Sequence, residues 1–279
     1  MSRSVARESF NRAGRRWPVR TIAWGLALLP ALWLVWRALT HDLGPRPMTE
    51  ATHRTGDWAI RLLWLSLAIT PLRRVLDWPG LHPARQAFGL AAFAYALGHM
   101  ALFIVDQKFN WLKIVTEIAL RYYLTIGFVA VLGLAALAAT SGEAMLRRLG
   151  SERWNNIHKI VYLIAFLSVL HFYIQSKLDV AQPLLMTGVF YLLMGHRLLV
   201  RQGRTGAPAL AGLALVASLA TMLTEMVWYR AVNRVPMLDL FLSNFDFEYE
   251  IRVMWLVLAV GTVATVAQAL FGRAPRARA

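Results

Sequence analysis

Long apolar runs, broken by short polar stretches rich in arginine or in acids, recur from end to end of the chain. A helix that crosses a bilayer needs about 20 mostly apolar residues. Eight stretches meet that pattern: 20–38, 57–72, 86–105, 121–140, 155–176, 182–200, 208–229 and 252–271. The second is short, and Pro71 in AITPLRR is expected to end it, because proline removes a backbone donor and clashes with the preceding turn. The weak alternation over about ten residues that marks a transmembrane barrel does not occur. The expected fold is all-α: a polytopic bundle of transmembrane helices.

Composition sharpens this picture. The 279 residues are 58% hydrophobic, with mean hydropathy +0.48, too apolar for an ordinary soluble domain. The run Thr21–Trp36 follows a basic segment, Arg3 to Arg20, but ends in bulky Leu32-Trp33-Leu34-Val35-Trp36. It reads as a retained first helix rather than a cleaved leader. The absence of cysteine rules out disulfides, iron–sulfur clusters and thiolate ligands. A net charge of +15 would suit nucleic acid in a soluble protein. Here it sorts by loop. With the N-terminus inside, nineteen of the thirty basic residues but only four of the fifteen acids, Glu8, Asp77, Glu143 and Glu152, fall on the cytoplasmic side. The opposite side then holds eleven of each sign. This is the positive-inside pattern, and it places both termini in the cytoplasm. No nucleic-acid partner is expected; the partner of this surface is membrane lipid.

Seven histidines supply the candidate chemistry. His41, His53 and His82 fall in expected loops. His99, His158, His171 and His196 fall within spans, where polar side chains are costly and usually functional. The third and fifth spans run in the same direction. His99 stands seven residues before Asp106, and His171 six before Lys177, so both sit near the outer face. Two imidazoles at one depth on two helices match a bis-histidine b-type haem. Gly98 beside His99 is expected to let the macrocycle approach. His158 lies near the inner face, about 20 Å from His171 along an ideal helix. A rotation about 140° short of four full turns means that the two rings do not share a face. Either the helix is distorted or His158 faces another neighbour. His196 has the right depth to pair with it, and His82 is a second candidate. Interhelical hydrogen bonding of His158 and His196 is the simpler alternative.

Four stretches carry a family resemblance: TGDWAIRLLWLSLAITPLRRV, ARQAFGLAAFAYALGHMALFIVD, RYYLTIGFVAVLGLAALAATS and LGSERWNNIHKIVYLIAFLSVLHFYIQSK. Across residues 20–200 the chain resembles the MsrQ or YedZ family, the haem-binding membrane subunit of the periplasmic methionine-sulfoxide reductase system, and more distantly the ferric reductase-like transmembrane domain. The resemblance implies His99, His158 and His171 as haem ligands, with one or two b haems. It implies electron flow across the bacterial inner membrane to a periplasmic molybdopterin methionine-sulfoxide reductase. Input from a cytoplasmic flavin reductase or from quinol, and bound FMN, are implied as well. The chain would then be an electron-transfer subunit.

The expected layout is a basic cytoplasmic N-terminus (1–19), a ferric reductase-like six-helix core (20–200) and a two-helix extension (201–279). Family members usually stop at six spans, so the extension and its acidic outer loop, with Asp239, Asp246, Glu248 and Glu250, are a departure. Two other readings stand beside this one: a related electron carrier with another acceptor such as ferric ion, and a non-redox transporter or assembly protein with structural histidines.

Overall fold

The computed structural model describes residues 16–177, 179–248 and 250–272. Arg3, Arg7, Arg12 and Arg15 of the basic N-terminus, and Arg273, Arg276 and Arg278 at the other end, lie outside the described residues. Among the described residues twelve α-helices follow one another: α1 (Arg16–Leu39), α2 (Pro47–Val75), α3 (His82–Asp106), α4 (Trp111–Leu120), α5 (Tyr122–Ala139), α6 (Glu143–Leu149), α7 (Ser151–His158), α8 (Val161–Ser176), α9 (Ala181–Arg201), α10 (Ala207–Asn233), α11 (Met237–Ser243) and α12 (Val253–Phe271). No strand occurs among the described residues. Seven helical segments are long and apolar enough to cross a bilayer, with α7 and α8 counting as one. The chain is a multi-pass membrane protein.

The expected second span lies inside α2, which is longer and more polar than the pattern implied. Its first half, Pro47 to Trp58, carries Glu50, Thr52, Arg54 and Thr55, and these side chains are satisfied locally. Arg54 pairs with Glu50 at 2.7 Å, and the threonine hydroxyls donate back to carbonyls one turn earlier. Pro71 does not end the helix, which continues to Val75. Proline forfeits only one donor, and the bonds beyond it survive, Leu76 N to Leu72 O at 2.9 Å among them. The expected continuous span 155–176 is interrupted at Lys159–Ile160, where tight turn bonds replace the helical ladder. Three short helices, α4, α6 and α11, occupy expected loops.

By packing, the chain divides into two compact units: residues 1–69 with 80–175, and residues 70–79 with 176–279. In the first unit α1 buries Ala23, Ala27 and Pro30 and packs against α3, which buries Ala84, Ala87, Ala91, Ala92 and Ala96. The Tyr95 hydroxyl donates to the Ala27 carbonyl at 2.8 Å. The rest of α1 presents Leu26, Leu29, Leu32 and Trp36 outward, as lipid requires. Gly133 of α5 admits Ile164 of α8; a Cβ there would stand 2.7 Å from its Cγ1.

In the second unit α9, α10 and α12 pack through small residues, the usual device where lipid removes any hydrophobic drive to associate. A Cβ on Gly188 would meet Val257 at 2.2 Å, and one on Gly261 would meet Ala214 at 2.5 Å. Ser218 donates across to the Met254 carbonyl at 2.8 Å, and Tyr191 and Thr224 share a hydrogen bond at 3.0 Å. The expected layout groups α9 with the N-terminal helices; by packing it groups with α10 and α12. The loop between α10 and α12 folds onto its own unit. The Trp255 indole donates to Asn244 O, and Arg252 to Ser243 O.

Candidate functional site

His99 sits seven residues from the end of α3 and His171 five from the end of α8. Their ring centroids lie 6.3 Å apart and their planes are inclined by 82°. Two imidazoles held end-on by one metal, with metal–nitrogen bonds of about 2 Å, would have centroids roughly 6 Å apart. The spacing fits a shared metal.

The ring nitrogens divide their roles. His99 Nδ1 lies 2.7 Å from the backbone carbonyl of Thr52 on α2, and His171 Nδ1 lies 2.8 Å from that of Tyr123 on α5. A carbonyl can only accept, so both rings carry their proton on Nδ1. The lone pair is then on Nε2 in each case, the state a metal ligand needs.

Each ring also rests on a glycine. A Cβ at Gly56 would stand 2.9 Å from His99 Nδ1, and one at Gly127 would stand 2.9 Å from His171 Nδ1 and Cε1. Gly56 is four residues past Thr52, and Gly127 four past Tyr123. The two halves are built alike: a helix offers a carbonyl, and one turn on it offers a bare Cα against which the imidazole lies. Neither the carbonyls nor these glycines were expected from the sequence. The only advance signal is the matching T-x-x-x-G and Y-x-x-x-G spacing. Gly98 has open space around its Cα, with nothing within 4 Å of a Cβ built there.

The donor set narrows the metal. Among the described residues no cluster of three or more His, Cys, Asp or Glu side chains forms. A bare zinc ion wants four protein or water ligands. Two trans imidazoles suit a metal whose remaining ligands come from a macrocycle, as in haem.

The other predicted residues are placed differently. The His158 ring stacks on Trp154, with centroids 3.8 Å apart and planes inclined by 21°. Its Nε2 meets the Thr140 hydroxyl at 3.2 Å, and the Trp154 indole donates to Thr140 O at 2.7 Å. The helix breaks just after His158, and the ring faces Trp154 and Thr140; the 13-residue spacing allowed either a distorted helix or a different neighbour. His196 is buried in the second unit, on α9, beside a cavity lined by Arg73, Arg74 and Gln268. His82, the first residue of α3, is exposed, as are His41 and His53.

Comparison with known proteins identifies the family. The family described as ferric reductase like transmembrane component matches residues 55–169, a stretch that includes Gly56, His99, Gly127 and His158 and ends just before His171. A protein-methionine-sulfoxide reductase heme-binding subunit MsrQ from Rhodospirillum rubrum is 40% identical over 182 residues, 64% of this chain and 88% of its own. The MsrQ of Xanthomonas axonopodis pv. citri is 38% identical over 194 residues, 69% of this chain and 86% of its own. That of Deinococcus radiodurans is 42% identical over 158 residues, 57% and 78% respectively. No solved structure matches. The chain belongs to the MsrQ family of ferric reductase-like transmembrane proteins.

Proposed function

We infer that this chain is a b-type cytochrome subunit that carries electrons across the bacterial inner membrane to a periplasmic methionine-sulfoxide reductase. The observation that carries the reading is the His99–His171 pair, 6.3 Å apart, with both Nδ1 atoms tied to backbone carbonyls. Haem b, held there by His99 and His171, would supply a reversible one-electron carrier. The chain's own residues do the rest. His99 and His171 offer Nε2. The carbonyls of Thr52 and Tyr123 hold each ring in one tautomer and one orientation, which also raises the basicity of the ligating nitrogen. Gly56 and Gly127 let the rings lie against helix backbone, so that neither imidazole can swing. Ala96, Val169 and Tyr173, near the two histidines in sequence, are buried.

The haem and the reductase partner come from the relatives, whose names describe the heme-binding subunit of a protein-methionine-sulfoxide reductase. Cytoplasmic termini are supported by the charge split between the loops. A molybdopterin acceptor, a flavin reductase or quinol donor, and bound FMN rest on the family resemblance. His158 and His196 have no place in the proposed outer site, because His158 engages Thr140 and His196 faces its own cavity. The segment beyond residue 200 is an addition to the family core. The relatives align over 86–88% of their own length while covering 64–69% of this chain.

Purified protein tests the reading directly. It should contain low-spin haem reducible by dithionite, and the reduced form should be reoxidised by the purified periplasmic reductase with methionine sulfoxide present. His99→Ala and His171→Ala should each lose that haem. Absence of haem from the native chain, or full low-spin haem in either variant, overturns the assignment.

A further inference from the structure

At one end of the second unit a cavity of about 340 Å³ opens between the end of α2, the end of α9, the start of α10 and α12. The guanidinium-bearing side chains of Arg73 and Arg74 line it, with His196, Thr205 and Gln268. One carboxylate, Asp77, shares the space and is outnumbered.

Two further features point the same way. His196 is more than nine-tenths buried and lines this cavity, yet among the described residues its ring makes no hydrogen bond. Its ring nitrogens are not sealed from the cavity, so whatever fills the space can hydrogen-bond to the imidazole. Thr205 stands directly before Gly206, the N-cap of the 27-residue α10, and no side chain caps that helix. Pro208 carries no amide hydrogen and Ala209 N already bonds Gly206 O, so this end offers mainly the positive pole of the helix dipole. Charge sorting across the bilayer accounts for the arginines alone. It does not account for an imidazole that lines the same cavity with no hydrogen bond among the described residues.

We propose that this cavity binds an anionic phosphoryl group, held by Arg73 and Arg74, with His196 and Gln268 as hydrogen-bond partners and the start of α10 facing the charge. Arginine matches phosphate oxygens in paired geometry, and helix N-termini are ready phosphate sites. Gln268 belongs to α12, and Thr205 to the connection into α10. Both lie after residue 200, whereas Arg73, Arg74 and His196 lie before it, so the C-terminal segment completes the site. It does not depend on the haem reading. Phosphoryl oxygen can come from a phospholipid headgroup or from soluble phosphate, and the two sources are separable.

The test uses the full-length chain in detergent, delipidated. Phosphatidylglycerol binding is followed by native mass spectrometry with diacylglycerol as the phosphate-free control. Inorganic phosphate is titrated by calorimetry. Arg73→Gln/Arg74→Gln should weaken the productive probe at least tenfold, and Arg73→Lys/Arg74→Lys should retain part of the binding. Exposed Thr205→Glu places a carboxylate at the mouth and should abolish binding even if the arginine double variant fails to fold. Binding of the lipid alone assigns a headgroup site; binding of phosphate alone or of both assigns an open phosphoryl site. If neither probe binds, or if Thr205→Glu and the glutamine pair bind within twofold of the native chain, the proposal falls.

Discussion

Gly56 lies flat against the ring of His99: a methyl group built on its Cα would stand 2.9 Å from Nδ1. Real Cβ atoms do not come that close, so Gly56→Ala must push the imidazole off its carbonyl or push α2 away from α3. Overpacking of this kind costs about 1–3 kcal/mol. The strain falls on the ring that the proposed haem needs. Gly56→Ala, and Gly127→Ala by the same argument at His171, should therefore lower haem per polypeptide by half or more while leaving helical content unchanged. Gly25→Ala is the control, because nothing lies within 4 Å of its Cβ position. Pyridine haemochrome against protein mass decides it; equal haem in all three variants would show that the cradle is incidental.

These contacts also mark the limit of what the residues disclose on their own. Seven of the eight expected spans, all but the second, were legible because lipid leaves no choice: a helix such as α1, apolar on every outward face, can be read from composition. The equal depth of His99 and His171 was legible for the same reason. Their closeness followed from depth; their carbonyl partners did not. Thr52 O and Tyr123 O are backbone atoms on other helices, and any residue at 52 or 123 carries one. The polar start of α2 hid a helix because its threonines and its Arg54–Glu50 pair read as loop until the local bonds are seen. Pro71 misled because the rule against interior proline is weaker in membrane helices than in water.

His158 gives a second test. Its Nε2 is engaged by Thr140 and its face by Trp154. If the outer pair is the haem site, His158→Ala should leave haem per polypeptide near the native ratio and reduce thermal stability by about 1 kcal/mol, the worth of a lost hydrogen bond. Trp154→Phe should cost a similar amount, because the donor to Thr140 O goes while the ring remains. Haem quantification and a melt on each variant are sufficient. A fall to half the native haem in His158→Ala would place a second centre there.

Close packing in the second unit predicts a graded response. A Cβ at Gly188 would sit 2.2 Å from Val257 and 2.6 Å from Thr221 Oγ1, whereas one at Gly212 meets nothing within 4 Å. Gly188→Leu should separate α9 from α10 and α12 and lower the melting temperature markedly, and Gly212→Leu should leave it within error. The difference is steric. It should persist in detergents of different chain length, which a hydrophobic mismatch effect would not.

The buried carboxylate of the extension sets up the sharpest energetic contrast. Glu225 of α10 is 6% exposed, and one of its oxygens has no hydrogen-bond partner. Arg252 lies 3.8 Å from it and 2.9 Å from Glu250, so one guanidinium serves two acids. Removing a buried ion's partner costs about 3–5 kcal/mol, whereas removing the ion itself is often neutral or favourable. Arg252→Ala should therefore destabilise strongly, and Glu225→Gln should be near neutral. The double variant should recover most of the loss, because no buried charge is left behind. Arg252 also donates to Ser243 O, so some cost remains in the double variant. Equilibrium melts of the four proteins close the cycle. Additive effects would mean that Glu225 is already uncharged in the native protein and that Arg252 acts through the outer loop alone.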